Sequence, residues 1–159
     1  MSLSIVATVD PARLRVDART PLGHLLRLDS EPSAGDDGAP EPKEVLLAAL
    51  AGCTSMDVAS ILLKKRQTIE RYEIAVSGES AREHPRVFTG IQVTHAVSGE
   101  VSAEALRRSI ELSATRYCPV NAMLSAATEI EHRYVLTDAA GARHEAVVAV
   151  TGPTGSRIL

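Results

Sequence analysis

The spacing of apolar and polar positions changes several times along this chain, and each change marks an element. Residues 3–9 and 13–18 read as short strands parted by Asp10-Pro11, and after a turn at Thr20-Pro21-Leu22-Gly23 a third is expected over 24–28. Residues 30–41 combine Pro, Gly, Ser and acids, which predicts a loop. From Val45 to Leu63 nineteen residues carry a single charge, Asp57, between Lys43-Glu44 and Lys64-Lys65-Arg66. Pro42 suits a first helical turn and Glu44 its positive end, so a helix is expected over 42–66, apolar nearly all round and buried on every side.

Residues 70–80 then alternate, with Tyr72, Ile74 and Val76 on one face, and 86–98 alternate again after Arg82-Glu83-His84-Pro85. That is the pattern of an antiparallel hairpin. Ser102 is placed to cap a helix over 102–117, where Leu106, Ile110 and Ala114 recur on one side. Pro119 interrupts it, a short helix follows near 121–127, residues 131–136 return as a strand, and the glycine-containing tail 137–159 is a hairpin or a loose end. The order predicts an α+β fold, helices packed on one face of a largely antiparallel sheet, as one domain over 1–159. An apolar helix in so small a chain is hard to cover alone, so a homodimer is expected.

Composition narrows the function. One Phe, three Tyr and no Trp leave few platforms for stacking bases, and a net charge of −3 gives no field for phosphate backbones. No nucleic-acid partner is expected. The 45–63 segment is long enough to span a bilayer, but Gly52, Thr54, Ser55, Asp57 and Ser60 interrupt it and no second span accompanies it, so no membrane is expected either. The start MSLSIVATVD lacks a basic, apolar leader, which predicts a cytoplasmic protein. His84, His95, His132 and His144 fall at no metal-ligand spacing, and neither metal nor cofactor is expected.

The chemistry then rests on two cysteines 65 positions apart. Cys53 sits in the apolar helix with Ala49, Leu50, Met56 and Asp57 on its face, and is either a small buried hydrophobe or a nucleophile in a dry pocket. Asp57 is there as a polar helix contact or as a like charge opposing a thiolate. Cys118 precedes Pro119 at a helix break, where free backbone N–H groups can stabilise a thiolate. Structural disulfides are rare in reducing compartments, so a pair here would be catalytic or redox-sensing.

The segments PKEVLLAALAGCTSMDVASILLKKR, HPRVFTGIQVTHAVSG and SIELSATRYCPVNAML resemble the OsmC/Ohr family of osmotically induced and organic-hydroperoxide-resistance proteins, and the likeness runs from about Gly23 to Leu136. The resemblance implies an OsmC-like fold, an intertwined homodimer with active sites at the subunit interface, and a thiol peroxidase. Cys53 would attack the O–O bond of an organic hydroperoxide and become a sulfenic acid. Cys118 would resolve it to an intramolecular disulfide, which a dithiol reductant reopens. Peroxidases of this family resemble one another in an Arg held by a Glu beside the reactive thiol. Here Lys43 stands where that Glu is expected and the acid is Glu44, nine residues before Cys53 and roughly 13 Å along a straight helix. Pro21 stands where the Arg is expected, and Arg19 is the nearest substitute, with His24 a further source of positive charge. The rival expectation is a non-catalytic dimer that binds a small lipophilic ligand or senses oxidants.

Overall fold

The computed structural model describes residues 2–31 and 35–159, so part of the expected 30–41 loop, residues 32–34, lies outside the described residues. The chain divides into two compact units, residues 1–46 and 47–159.

The first unit holds an antiparallel three-stranded sheet in the order β1 (Val6–Asp10), β2 (Arg15–Arg19), β3 (Leu25–Leu28). Gly23, at φ +87°, closes the β2–β3 turn by donating its N–H to the Thr20 carbonyl at 2.9 Å, in a backbone region that few other residues tolerate. Asp17 and Arg27 face each other across the two strands in a two-pronged ion pair of 2.7 and 2.8 Å.

The second unit is built on a five-stranded sheet in the order β4 (Thr68–Ser80), β5 (Phe88–Glu100), β6 (Ile130–Asp138), β7 (Arg143–Gly152), β8 (Gly155–Ile158). The alternating stretches 70–80 and 86–98 do form an antiparallel hairpin, and the tail is ordered as β7 and β8, so the loose-end alternative falls. Every neighbouring pair is antiparallel except β5 and β6, which run parallel with the crossover helices between them. Ile91, Val93, His95 and Val97 on β5 stand opposite Ile130, His132, Tyr134 and Leu136 on β6, and all eight are buried.

Helix α1 runs Pro42–Lys64, two residues shorter than expected. It ends because Arg66 turns left-handed at φ +57°, letting the Arg66 and Gln67 N–H groups bond back to the carbonyls of Leu63 and Leu62. Its burial differs from the expectation of a helix covered on every side. Only Leu50, Thr54, Val58 and Leu62 are buried, one stripe at four-residue spacing, whereas Met56 is 74% and Leu63 64% exposed. The reason is geometric: one chain supplies one sheet face, and a single face covers a single stripe.

That stripe divides the core in two. Val58 and Leu62 pack with Val97, Leu106, Ile110, Tyr134 and Val148, and Leu50 packs with Ile91, Val93, Cys118 and Ile130. Helix α2 (Ala103–Leu112) starts where Ser102 accepts the Ala105 N–H at 3.1 Å, as the sequence predicts. It then widens into a π-type turn over Ser113–Tyr117, and α3 (Pro119–Ser125) follows at once.

Candidate functional site

The wide turn after α2 is what delivers the second cysteine. Cys118 donates its backbone N–H to the Ser113 carbonyl at 3.0 Å, five residues back rather than four. Pro119 has no N–H to continue the ladder and occupies the first position of α3, so the chain pivots at Cys118. The pivot aims the thiol at α1, where Cys53 lies half-buried in mid-helix. The two free thiols lie with Sγ atoms 2.8 Å apart, longer than a disulfide bond of about 2.05 Å and within its reach by a small side-chain motion.

Neutral donors surround the pair. Cys118 Sγ accepts the Asn121 N–H at 3.3 Å and the Thr54 hydroxyl at 3.5 Å. Cys53 Sγ accepts the Val120 N–H. Asp57, one turn after Cys53, accepts the Ser113 hydroxyl at 3.1 Å, so it is both the polar helix contact and the opposing charge. Burial pushes the Cys53 thiol up to about 11, the hydrogen bond the protonated thiol shares with Cys118 and the charges of Cys118 and Asp57 push the same way, and only the Val120 N–H pulls it down. At neutral pH the chain by itself therefore holds Cys53 as a thiol. Ligand atoms of Cys53, Asp57 and Cys118 all lie within 4.8 Å of one another, a set able to grip a metal ion.

Beneath the thiols runs a buried polar chain that sequence reasoning missed. Asn121 donates its side-chain amide to the Ala114 carbonyl at 2.7 Å and to the Thr151 hydroxyl at 3.2 Å. Its Oδ1 takes a hydrogen bond of 2.8 Å from His132 Nε2, which fixes that tautomer. His132 stacks on His95 with ring centres 6.0 Å apart, and His95 Nδ1 pairs with the Tyr72 hydroxyl at 2.6 Å. Burial holds His95 down to about 3, with His132 adding to the effect, and His132 down to about 4, so both rings are neutral. Burial also pushes the Tyr72 hydroxyl far up. One signal was present in the sequence: His95 and His132 occupy inward positions of alternating strands.

Glu44 and Arg19 lie in the first unit. Glu44 reaches back to accept the Glu41 N–H at 2.8 Å, which caps α1. Arg19 is exposed at the end of β2, opposite Val6 and Leu25, and its charge helps keep the Asp17 carboxyl below the usual range. His24 is exposed and donates its backbone N–H to Thr20 Oγ1 at 3.1 Å. The structure thus brings Cys53, Cys118 and Asp57 together, and Glu44, Arg19 and His24 belong to the other unit.

Comparison with known proteins adds a lineage to this geometry. The profile of the family described as OsmC-like protein matches residues 35–133. The chain is 39% identical to protein YhfA of Escherichia coli strain K12 over 113 residues, 70% of this chain and 82% of that protein. Among solved structures, a hypothetical protein from Aquifex aeolicus VF5 superposes with a TM-score of 0.77 at 23% identity, over 87% of this chain and 98% of its own. An OsmC-like protein from Mycoplasma pneumoniae gives 0.74 at 18% identity, covering 86% and 97%. The organic hydroperoxide resistance protein OhrB of Bacillus subtilis gives 0.59 at 16%, covering 84% and 98%.

Proposed function

The chain belongs to the OsmC-like family, and from that premise we propose that it is a cytoplasmic, cofactor-free, dithiol-dependent peroxidase that reduces organic hydroperoxides. The observation that carries the reading is the 2.8 Å approach of Cys53 and Cys118 Sγ, two free thiols delivered by separate elements to one point. A structural role for small apolar residues asks for no such convergence.

The chemistry runs in two steps. Cys53 thiolate attacks the terminal peroxide oxygen, the O–O bond breaks, and the alcohol leaves with one proton, giving a sulfenic acid. Cys118 thiolate then attacks that sulfur, the S–O bond breaks, water leaves, and a disulfide remains. An external dithiol returns it to the starting state by exchange. The surroundings favour an organic tail, because Leu47, Leu50, Val120 and Leu124 pack around the thiols. Asn121 N–H and Thr54 stand ready to stabilise the Cys118 thiolate as resolving nucleophile.

The first step needs a cation, since Cys53 is otherwise pushed up to about 11, chiefly by burial. The resemblance calls for an Arg held by a Glu; Pro21 and Lys43 stand at those positions, and Arg19 and Glu44 are the nearest substitutes in the sequence. A homodimer suits the same reading: Met56 and Leu63 leave apolar surface of α1 uncovered in one chain.

Reduced protein treated with one equivalent of cumene hydroperoxide and measured by intact mass tests this directly. The expected result is a loss of two hydrogen atoms, mapped to a Cys53–Cys118 bridge and reversed by a dithiol. In Cys118→Ser the product stops at a sulfenic acid that dimedone traps. An unchanged mass, or oxidation of methionine alone, overturns the peroxidase and leaves a ligand-binding dimer.

A further inference from the structure

The two thiols are not alone at their meeting point. Asp57 follows Cys53 by one helical turn, and its carboxylate lies within 4.8 Å of both sulfurs. All three groups are held from behind. Ser113 fixes the carboxylate at 3.1 Å, Thr54 and the Asn121 N–H fix Cys118 at 3.5 and 3.3 Å, and the Val120 N–H meets Cys53. Every one of these supports is a neutral donor, so none of them supplies the positive charge that two thiolates and a carboxylate would attract.

We propose that reduced Cys53 and Cys118, with Asp57, form a binding site for a thiophilic divalent cation, zinc foremost. Two sulfurs and one carboxylate oxygen are three of the four ligands of a tetrahedral zinc ion, the fourth being water, and the S₂O donor set disfavours magnesium and calcium. Zinc holds sulfur at about 2.3 Å, which at a tetrahedral angle sets the sulfurs roughly 3.8 Å apart. The thiols therefore open by about 1 Å, a rotation at two side chains that leaves α1 and the Cys118 pivot in place. The backing contacts are those that orient metal ligands in general, a hydroxyl on the carboxylate and donors to the thiolate. Binding releases the two thiol protons and places the missing charge at the centre of the cluster.

The site exists only in the reduced protein, because a Cys53–Cys118 disulfide offers no thiolate. It does not depend on peroxide reduction: a chain that cumene hydroperoxide fails to oxidise still presents both thiols to the ion.

The experiment titrates full-length, phosphine-reduced protein with cadmium under nitrogen and follows the ultraviolet thiolate-to-cadmium charge-transfer band, then displaces cadmium with zinc. The expected result is one ion per chain, zinc protection of both cysteines from iodoacetamide, and no band in protein oxidised to the disulfide by diamide. Asp57→Asn weakens binding at least about tenfold with the far-ultraviolet circular dichroism unchanged. Ser113→Ala, which leaves all three ligands in place, weakens it less. No band in protein whose two thiols titrate as reduced overturns the proposal. So does an Asp57→Asn protein that binds as tightly as the parent, which would make the thiols alone sufficient.

Discussion

Asn121 is the residue at which the interior and the thiols meet. Its backbone N–H goes to Cys118, its amide to the Ala114 carbonyl left free by the wide turn, and its oxygen to His132. Replacing it by alanine strands the buried Ala114 carbonyl and the His132 Nε2 hydrogen without their partner. Asn121→Ala should therefore lower the unfolding free energy by about 2–4 kcal/mol, read from urea titration, as loss of two buried partners requires. The backbone bond to Cys118 survives that change, so the thiols should still form their bridge in whatever fraction is folded. The cysteines were legible because their local motifs are specific and because each sits where a helix is forced to be apolar or to stop. Asp57 shares the face of Cys53 by simple helical spacing, and that too was readable. Asn121, His95 and His132 were not, since a polar side chain on the inward face of a strand or helix announces burial only once its partners are known.

At the scale of elements, α1 and α2 begin where expected, α3 begins at Pro119, two residues before the expected 121, and α1 ends where the backbone, not the hydrophobic pattern, decides. Helix α1 stops because Arg66 adopts φ +57°, a conformation that costs a residue with a Cβ roughly 1 kcal/mol or more. Arg66→Gly should raise stability by about 0.5–1 kcal/mol in thermal or urea unfolding, with the length of α1 unchanged. The wide turn over Ser113–Tyr117 left no trace in the sequence, because Leu106, Ile110 and Ala114 keep four-residue spacing straight into it. The buried stripe of α1 was equally hidden. A helix apolar on all sides carries no record of which side its own chain covers, and the four positions Leu50, Thr54, Val58 and Leu62 are picked out only by the sheet they meet.

The whole molecule carries two imidazoles that folding keeps neutral. His95 and His132 are held down to about 3 and about 4 by burial, against roughly 6.5 in an unfolded chain. Below about pH 6.5 the unfolded state takes up protons that the folded state refuses, so stability present at neutral pH is lost as pH falls toward 4. Each ring contributes a slope of about 1.4 kcal/mol per pH unit inside that window. Urea unfolding between pH 7 and 4.5 should show this decline, and a His95→Gln, His132→Gln protein should show a flatter one. A decline of equal slope in the double variant would place the acid sensitivity elsewhere. Fold class was readable at this scale from the order of strands and helices, but the parallel pairing of β5 with β6 was not, because alternation fixes faces and says nothing of direction.

That parallel pair has a consequence for how the molecule comes into being. Ile91 meets Ile130 across 39 intervening steps of chain, whereas β4 with β5, and β6 with β7, close over short turns. Closing the longer loop costs more chain entropy before any contact repays it, so the two hairpins are the early products and their union the slow one. Cys118 lies in the loop that this union draws tight, whereas Cys53 precedes both hairpins in the chain. The two thiols are therefore among the last groups the nascent chain brings together, and a thiol that meets an oxidant before then meets it alone.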